Sequence, residues 1–565
     1  MKKFKLIFVL IFVFAFSAVF LTACGSDEAA ADDELYELVF LRDYDVSDTE
    51  QFAYRNQFRN YVEENFGITW HDIHFAGDMQ QRLMLELAGG NFPSVINPRD
   101  TNVLRAYAEA GALINLGELL EQYAPNVLER HADRLPVWRA MSGMNDGNIW
   151  AMTFWQPDQM GARAMPQLQW LIRSDILEQQ GFPEIRDEND FLEVIRRGLE
   201  DNPTTNGRPT IGFSHPLNAW GTAGLQVLTY TYNLGRLSHY TFNRGMIFDP
   251  YINEFIDVTS DHGYRNGLEF FNLLWRDGIF DRDSVTDDWD DFERKMREGQ
   301  ILSAFFLTWP WDYDFNPALE AAGAPFRYVP MTFQLTSQRE RNETMIVPQN
   351  SGEVWSSIAI TTNAEHPERI ARLLNWQASE EGMIRAGWGR EGVDFTVENG
   401  RRVPTQEHFD RMANDPSYIH ELFGPSDFGF FLGVDPSGQS YRITHDADVV
   451  AMRLDPIVRS VWEQYGWSGS YEMFYHNANF TFDDTHQVGL KGAVPTLTDA
   501  LHRNWEIMDA ATHDATMQLV TASSVEVFNQ LFDDMQARRA ELGLHEMLEL
   551  WNAEYIELRR IHGFD

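Results

Sequence analysis

In LYELVFLRD (Leu35–Asp43) apolar and polar positions alternate and then merge, the mixed pattern of a buried strand. SDTE (Ser47–Glu50) reads as a capping box and predicts a helix after it, with Tyr54, Phe58, Tyr61 and Val62 on one face and Gly67 as its stop. ITWHDIHF (Ile68–Phe75) predicts a second strand. DMQQRLMLELAGG predicts a second helix, with Leu83 and Leu87 turned inward and Gly89 ending it, and PSVIN (Pro93–Asn97) a third, short strand. Strand, helix, strand, helix, strand in that order argues for a parallel α/β sheet.

The pattern continues in the same manner. NLGELLEQYAP (Asn115–Pro125) is a helix closed by proline, and NDGNIWAMTFW (Asn145–Trp155) a turn followed by an extended run. LQWLIRSDILEQQGFPE (Leu168–Glu184) passes from strand to helix with Ser174 as N-cap and Gly181 as stop, and Asp187–Asp201 is an amphipathic helix. In Glu353–Gly382 a strand leads to Asn363, Pro367 falls in the first turn of a helix, and Ile370, Leu373 and Leu374 form its apolar face. From about Thr498 the pattern is helical to the end. No repeat, coiled coil or long Pro/Gly/Ser linker divides the chain, so two lobes would have to be joined by crossing segments.

The start of the chain follows a different logic. Lys2, Lys3 and Lys5 precede an uncharged apolar run, Leu6–Val19, too short for a membrane span of about 20 residues. This is the layout of a secretory signal peptide. Its end, Leu21-Thr22-Ala23-Cys24, resembles the lipobox of bacterial lipoproteins. That resemblance implies cleavage before Cys24 and a diacylglycerol thioether on it; an uncleaved signal anchor is the alternative. Residues 1–23 are then the leader, and 24–33 an acidic, unpatterned leash. Cys24 is the only cysteine, so burial, with no disulfide, must hold the fold.

Composition narrows the function. Against 45 Lys and Arg stand 85 Asp and Glu, a net charge of −40 over 565 residues. Such a surface repels nucleic acid, which excludes a DNA- or RNA-binding role. Beyond the leader only Lys295 and Lys491 are lysines; the other permanent cations are arginines. Arginine keeps its charge where lysine begins to lose it, near pH 10. An alkaline or saline exterior and a genomic bias toward arginine codons both account for this. With 17 Trp, 19 Tyr and 40 Phe the chain has aromatic side chains for a core and for a binding site as well.

Several segments, in order, resemble the extracellular solute-binding proteins of ABC transporters: LELAGGNFPSVIN, YAEAGALINLGELLEQYAPNV, DGNIWAMTF (with Met152-Thr153 where the family has Leu-Pro), WLIRSDILEQQGFPE, and the stretch from LLWRDGIFDRDSVTDDWDDFERKMREGQ into ILSAFFLTWPW. ITTNAEHPERIARLLNWQASEEG and WGREGVDFTVENGRRVP resemble the long oligosaccharide-binding lipoprotein branch of that family. The resemblance implies a two-lobed α/β fold of the type II periplasmic-binding-protein kind, each lobe a sheet flanked by helices, with a helical C-terminal section. Lobe one would hold 34–160 plus 352–400, and lobe two 165–350 plus 401–565. It implies a monomer without catalytic residues or cofactor. An oligosaccharide would be captured between the lobes and passed to the transmembrane permease, on the outer face of the cell membrane; lipidation and the missing disulfides favour a Gram-positive wall over a periplasm.

Ligands of open α/β sheets sit beyond the carboxyl ends of the strands. A sugar ring needs a flat aromatic surface under its C–H face and carboxylate, amide or guanidinium groups at its rim. The candidates are therefore Asp43 and Asp45 after the first strand, Asn97, Arg99 and Asp100 after the third, and Trp155 at a crossing. Trp309, Trp311, Asp312 and Tyr313 follow ILSAFFLT, and Trp309 resembles the family's sugar-stacking tryptophan. Trp220 in a turn-rich stretch and Trp388 between two glycines, with Glu391 as its polar companion, complete the set. For the aromatics, core filling competes with this reading; for Asp43 and Asp45, helix capping does. His71 and His74 in HDIH lie three apart on a strand and point to opposite faces, which argues against a metal pair. Asp281–Glu293 lacks the central glycine and oxygen spacing of a calcium loop. A secreted carbohydrate-active enzyme and a peptide-binding lipoprotein are the competing functions.

Overall fold

The computed structural model describes residues 35–42, 56–74, 79–98, 100–153, 168–218, 246–249, 252–307, 314–348, 357–414, 433–443, 446–467, 480–483, 495 and 497–562. Its two main sheets use nine strands: β1 (Tyr36–Arg42), β2 (Ile68–His74), β3 (Val95–Ile96), β4 (Met152–Thr153), β5 (Leu168–Arg173), β6 (Ile211–Ser214), β7 (Ile301–Leu307), β8 (Tyr328–Met331) and β9 (Ser357–Ile360).

The first sheet has the order β2-β1-β3-β9-β4. β1, β2 and β3 are parallel, with Tyr36 opposite Ile68 and Phe40 opposite Val95, as the alternation of strands and helices predicts. The crossovers are the helices Asn56–Phe66 and Met79–Gly89. The parallel expectation ends there. β9 returns from more than two hundred residues downstream and lies antiparallel to β3, and β4 lies antiparallel to β9. All four residues of β9 are buried, as an interior strand covered on both faces requires. Leu38, Phe40, Val95 and Ile96 pack with Leu116, Leu120, Trp138, Ile370 and Leu374 into one core.

The second sheet has the order β8-β5-β7-β6. β7 is parallel to β6 and antiparallel to β5. Much of the aromatic content is spent here: the fully enclosed Trp170 is ringed by Phe191, Phe213, Phe270, Phe271, Phe305 and Phe333, at centroid distances from 4.7 to 6.2 Å. The helix Glu188–Asp201 lies close on this sheet because Gly198 carries no Cβ; one built there would fall 2.9 Å from Ile176 and 3.0 Å from Leu302.

Three helices, Asp499–Val520, Val525–Glu541 and Leu544–His562, make the C-terminal section. Leu519, Val520, Phe528, Phe532 and Met535 join the second core. Trp505 and Trp551 stack at 4.2 Å in a smaller one, with Phe255, Met547 and Tyr555. The last helix also reaches the first half of the chain, where Asn145 Nδ2 donates to Glu554 Oε1 at 3.2 Å.

Local details shift by a residue or two from the sequence pattern. Arg173, not Ser174, is the N-cap residue; Ser174 is the first helical position, and its hydroxyl accepts from Arg327 N. Pro125 opens a new helix, Pro125–Arg130, as well as following Leu116–Tyr123. Pro367 begins the helix Pro367–Gln377 as expected.

Candidate ligand-binding site

The direction of each strand fixes where its following segment starts. β1 and β3 are parallel and therefore end on the same edge of the first sheet. β4 is antiparallel to β9, which is antiparallel to β3, so β4 ends on that edge too. The segments carrying Asp43 and Asp45, Arg99, and Trp155 leave from these three strand ends. In the second sheet β6 and β7 are parallel and end together. From them leave the segments carrying Trp220 and Trp309-Pro310-Trp311-Asp312-Tyr313. Asp43, Asp45, Arg99, Trp155, Trp220, Trp309, Trp311, Asp312 and Tyr313 themselves lie outside the described residues.

The strand ends are held by bonds that sequence periodicity does not reveal. Ser357 Oγ on β9 donates to the Pro98 carbonyl at 3.3 Å, fixing the backbone just after β3. The Trp138 indole Nε1–H donates to Thr153 Oγ1 at 3.3 Å, at the last residue of β4. Asn97 is buried beside them, while Asp100 caps the helix Thr101–Glu109, its carboxylate accepting from Asn102 N at 2.7 Å. Asp100 is thus engaged in capping. In the second sheet His215, one residue past β6, is fully buried and its Nδ1–H donates to the Phe305 carbonyl at 2.7 Å, tying the ends of β6 and β7 together. Trp289 lies against Phe306 at 5.0 Å on the same strand. His215 was within reach of the carboxyl-end rule, since it follows IGFS directly; Trp138 and Ser357 carry no local signal.

Trp388 is a correction. It was a candidate stacking surface for the ligand, yet the side chain is 0% exposed and belongs to a satellite core with Phe395, Met412, Ile443 and Val449. Its indole N–H donates to the Ser440 carbonyl at 2.9 Å, and the Arg402 guanidinium lies 5.2 Å from the ring centre. The glycine before it explains the enclosure: a Cβ on Gly387 would fall 1.8 Å from the Tyr441 carbonyl oxygen, so the glycine admits a neighbouring segment instead of exposing the tryptophan. Glu391 is exposed and forms an isolated bridge with Phe395.

Two buried histidines are held neutral. Burial drives the His131 imidazole down to about 3, with Arg134 and Arg130 adding to the effect. His408 is lowered to about 4, again by burial first, with Asp394 opposing and Arg411 assisting. His71 is exposed and pairs with Glu37 at 3.1 Å. Among the described residues no group of three or more His, Cys, Asp or Glu side chains is arranged to hold a metal ion. Nor is any helix among them long and apolar enough to cross a membrane.

This arrangement, two mixed α/β sheets and a helical C-terminal section, is similar in fold to solved solute-binding proteins associated with ABC transporters. The alginate-binding protein AlgQ2, solved without calcium ion, superposes with a TM-score of 0.63 over 93% of this chain and 98% of that one, at 15% identity. An HMO-binding, ABC-transporter-associated solute-binding protein from Bifidobacterium longum infantis gives 0.63 over 93% and 99%, at 14% identity. Streptococcus pneumoniae FusA in complex with kestose gives 0.62 over 93% and 99%, also at 14%. In sequence, the S. pneumoniae fructooligosaccharide ABC transporter substrate-binding protein FusA is 21% identical over 342 residues, a match spanning 59% of this chain and 59% of that protein. The sequence matches no family model.

Proposed function

We propose that this protein is the substrate-binding subunit of an ABC importer and captures an oligosaccharide between two lobes. The supporting observation is the gathering of strand ends. Five segments that carry acidic, arginine and tryptophan side chains start from one edge of each sheet, the carboxyl edge at which α/β proteins bind ligands. The fold, and the sugars named for its relatives, support a carbohydrate as the guest. Lobe one is 34–160 plus 352–400 and lobe two 165–350 plus 401–565. Trp309 and Trp311 supply stacking surfaces, and Asp312, Tyr313, Asp43, Asp45, Arg99, Trp155 and Trp220 supply the rest of the site.

Closure does the selecting. A ligand touching both lobes binds only the shut form and shifts the balance toward it, and the shut form is what the permease reads. The lipid on Cys24 keeps the monomeric receptor beside that permease on the outer face of the membrane; two acyl chains suffice for stable anchoring. The sugar leaves unchanged, so no side chain acts as a catalyst.

The test is calorimetry against a panel of oligosaccharides and peptides, with mass spectrometry of the recovered ligand. Binding of at least one oligosaccharide, recovered intact, is expected. Trp309→Ala should weaken it tenfold or more, as loss of a stacking contact worth about 1.5 kcal/mol or more would. Trp388→Ala should leave affinity within about twofold while costing roughly 3–5 kcal/mol of stability, since it empties a core position. Affinity for peptides alone, or a cleaved sugar, overturns the proposal.

A further inference from the structure

Two of the candidate ligand segments leave the second sheet side by side, from the ends of β6 and β7, and the sequence there interrupts the ladder between them. In a parallel pair each bond takes an amide N–H from one strand and a carbonyl from the other. β6 and β7 keep their register through Phe213 opposite Ser303 and Ser214 opposite Ala304. The next carbonyl along β7 is that of Phe305. The next residues after β6 are His215 and Pro216, and proline has no N–H to offer. The His215 side chain supplies a donor instead. Its ring is 0% exposed, and Nδ1 lies 2.7 Å from the Phe305 carbonyl oxygen. A carbonyl only accepts, so Nδ1 carries the proton.

The surrounding packing holds each strand end but does not set the distance between them. Phe305 and Phe306 point to opposite faces of β7. Phe305 meets Trp170 at 5.2 Å, and Phe306 meets Trp289 at 5.0 Å and Phe292 at 5.5 Å. Toward β5 the ladder runs on to Leu307 opposite Leu168. The chain beyond β6 is anchored as well: Leu217 is buried in the second core, and Asn218 Nδ2 donates to the Val285 carbonyl at 2.5 Å. Apolar contacts such as these are non-directional and tolerate sliding, whereas a hydrogen bond weakens steeply off its axis. Beyond Ala304, the directional link across from β6 is the bond made by His215. Trp309 comes two residues after Leu307, the last of β7, and Trp220 two residues after Asn218.

We propose that His215 is a positioning residue for ligand capture: its Nδ1–H stands in for the amide that Pro216 lacks and sets the spacing of the two segments that carry Trp220 and Trp309. The consequence for affinity rests on the transport reading; the tie itself does not. A binding site loses affinity when its supporting groups leave it loose by a fraction of an ångström, so the spacing of two stacking surfaces is worth a buried bond. The role asks for a donor of the right reach and for no acid–base chemistry. Asparagine meets that demand, because its amide nitrogen is bonded to Cγ as Nδ1 is in histidine. Glutamine puts its amide one atom further out, where Nε2 stands, and leucine fills space with no donor.

The experiment compares His215→Asn, His215→Gln and His215→Leu in the full mature chain, well below their melting temperatures. Calorimetry uses the oligosaccharide that binds the wild type; hydrogen exchange read by mass spectrometry, without ligand, covers peptides that span the ends of β6 and β7. His215→Leu and His215→Gln should bind about tenfold or more weakly, as loss of one buried bond implies, and exchange faster at both strand ends. His215→Asn should regain affinity to within about threefold of the wild type and exchange slowly again. Trp388→Ala, which empties a core position elsewhere, serves as the control for lost stability alone. Wild-type affinity in His215→Gln, whatever its melting temperature, overturns the proposal, since the residue would then be merely structural. So does a His215→Asn protein as impaired as His215→Gln. If His215→Leu does not fold, the Asn and Gln pair decides. If the wild type binds no sugar, the transport reading fails by itself, and equal exchange in the Asn and Gln variants still overturns the tie.

Discussion

At the scale of single residues, the interior titratable groups set how the protein meets acid. His131 and His408 have folded pKa values of about 3 and about 4, below the ordinary value near 6.5. Between those values and 6.5 the unfolded chain binds protons that the folded chain refuses. Stability therefore rises with pH through that window and is lost as pH falls from 6.5 toward 3, with a slope of up to about 1.4 kcal/mol per pH unit for each histidine. Urea denaturation at pH 7 and pH 5 should show the loss, and His131→Gln should show less of it. An unchanged difference between the two pH values in His131→Gln would refute the assignment. The same scale shows why Trp388 misleads on inspection. Glycine neighbours signal backbone freedom or close approach, and only the position of Tyr441 distinguishes the two.

At the scale of elements, amphipathic pattern and punctuation were legible wherever an element's core face is set by its own sequence. The strands at Tyr36–Arg42 and Ile68–His74, the helix Glu188–Asp201 and the proline-led helix Pro367–Gln377 fall where pattern puts them. Pairing was legible only for the local strand–helix–strand units. Nothing in SIAI says that β9 inserts between β3 and β4, because that partnership depends on a chain reversal through the whole second sheet. The C-terminal helix is a further case. Its fit comes from Trp551 stacking on Trp505 and from Asn552, which accepts from Phe255 N at 2.6 Å and donates to the Phe255 carbonyl at 3.0 Å. Trp551→Ala should destabilise the protein by roughly 3–5 kcal/mol in urea titration, through lost burial and stacking. A change under about 1 kcal/mol would mean that the helix is not integral to the fold.

At the scale of the whole molecule, a net charge of −40 means that the folded chain repels itself. Screening relieves this, since the Debye length falls from about 30 Å at 0.01 M salt to about 3 Å at 1 M. The melting temperature should rise by several degrees between 10 mM and 500 mM NaCl, measured by calorimetry; a fall would show that surface ion pairs outweigh the net repulsion. The candidate site also belongs to this scale. Asp43, Arg99 and Trp155 stand far apart in sequence, and only strand direction brings their starting points to one edge of the first sheet.

What the sequence determined by itself was local or compositional: element positions from periodicity and the net charge from the residue count, with the lipobox-like leader and the unfavourable field for nucleic acid as expectations from the same local and summed features. These depend on residues near one another or on sums over the chain. The tertiary structure decided everything that depends on which distant segments meet: the antiparallel insertion of β9, the enclosure of Trp388, the tie from His215 to Phe305, and the ammonium of Lys295 between two aspartates. Contact energy is short-ranged, so a residue's role follows from its neighbours in space, and a linear pattern names those neighbours only when the chain itself has placed them close by.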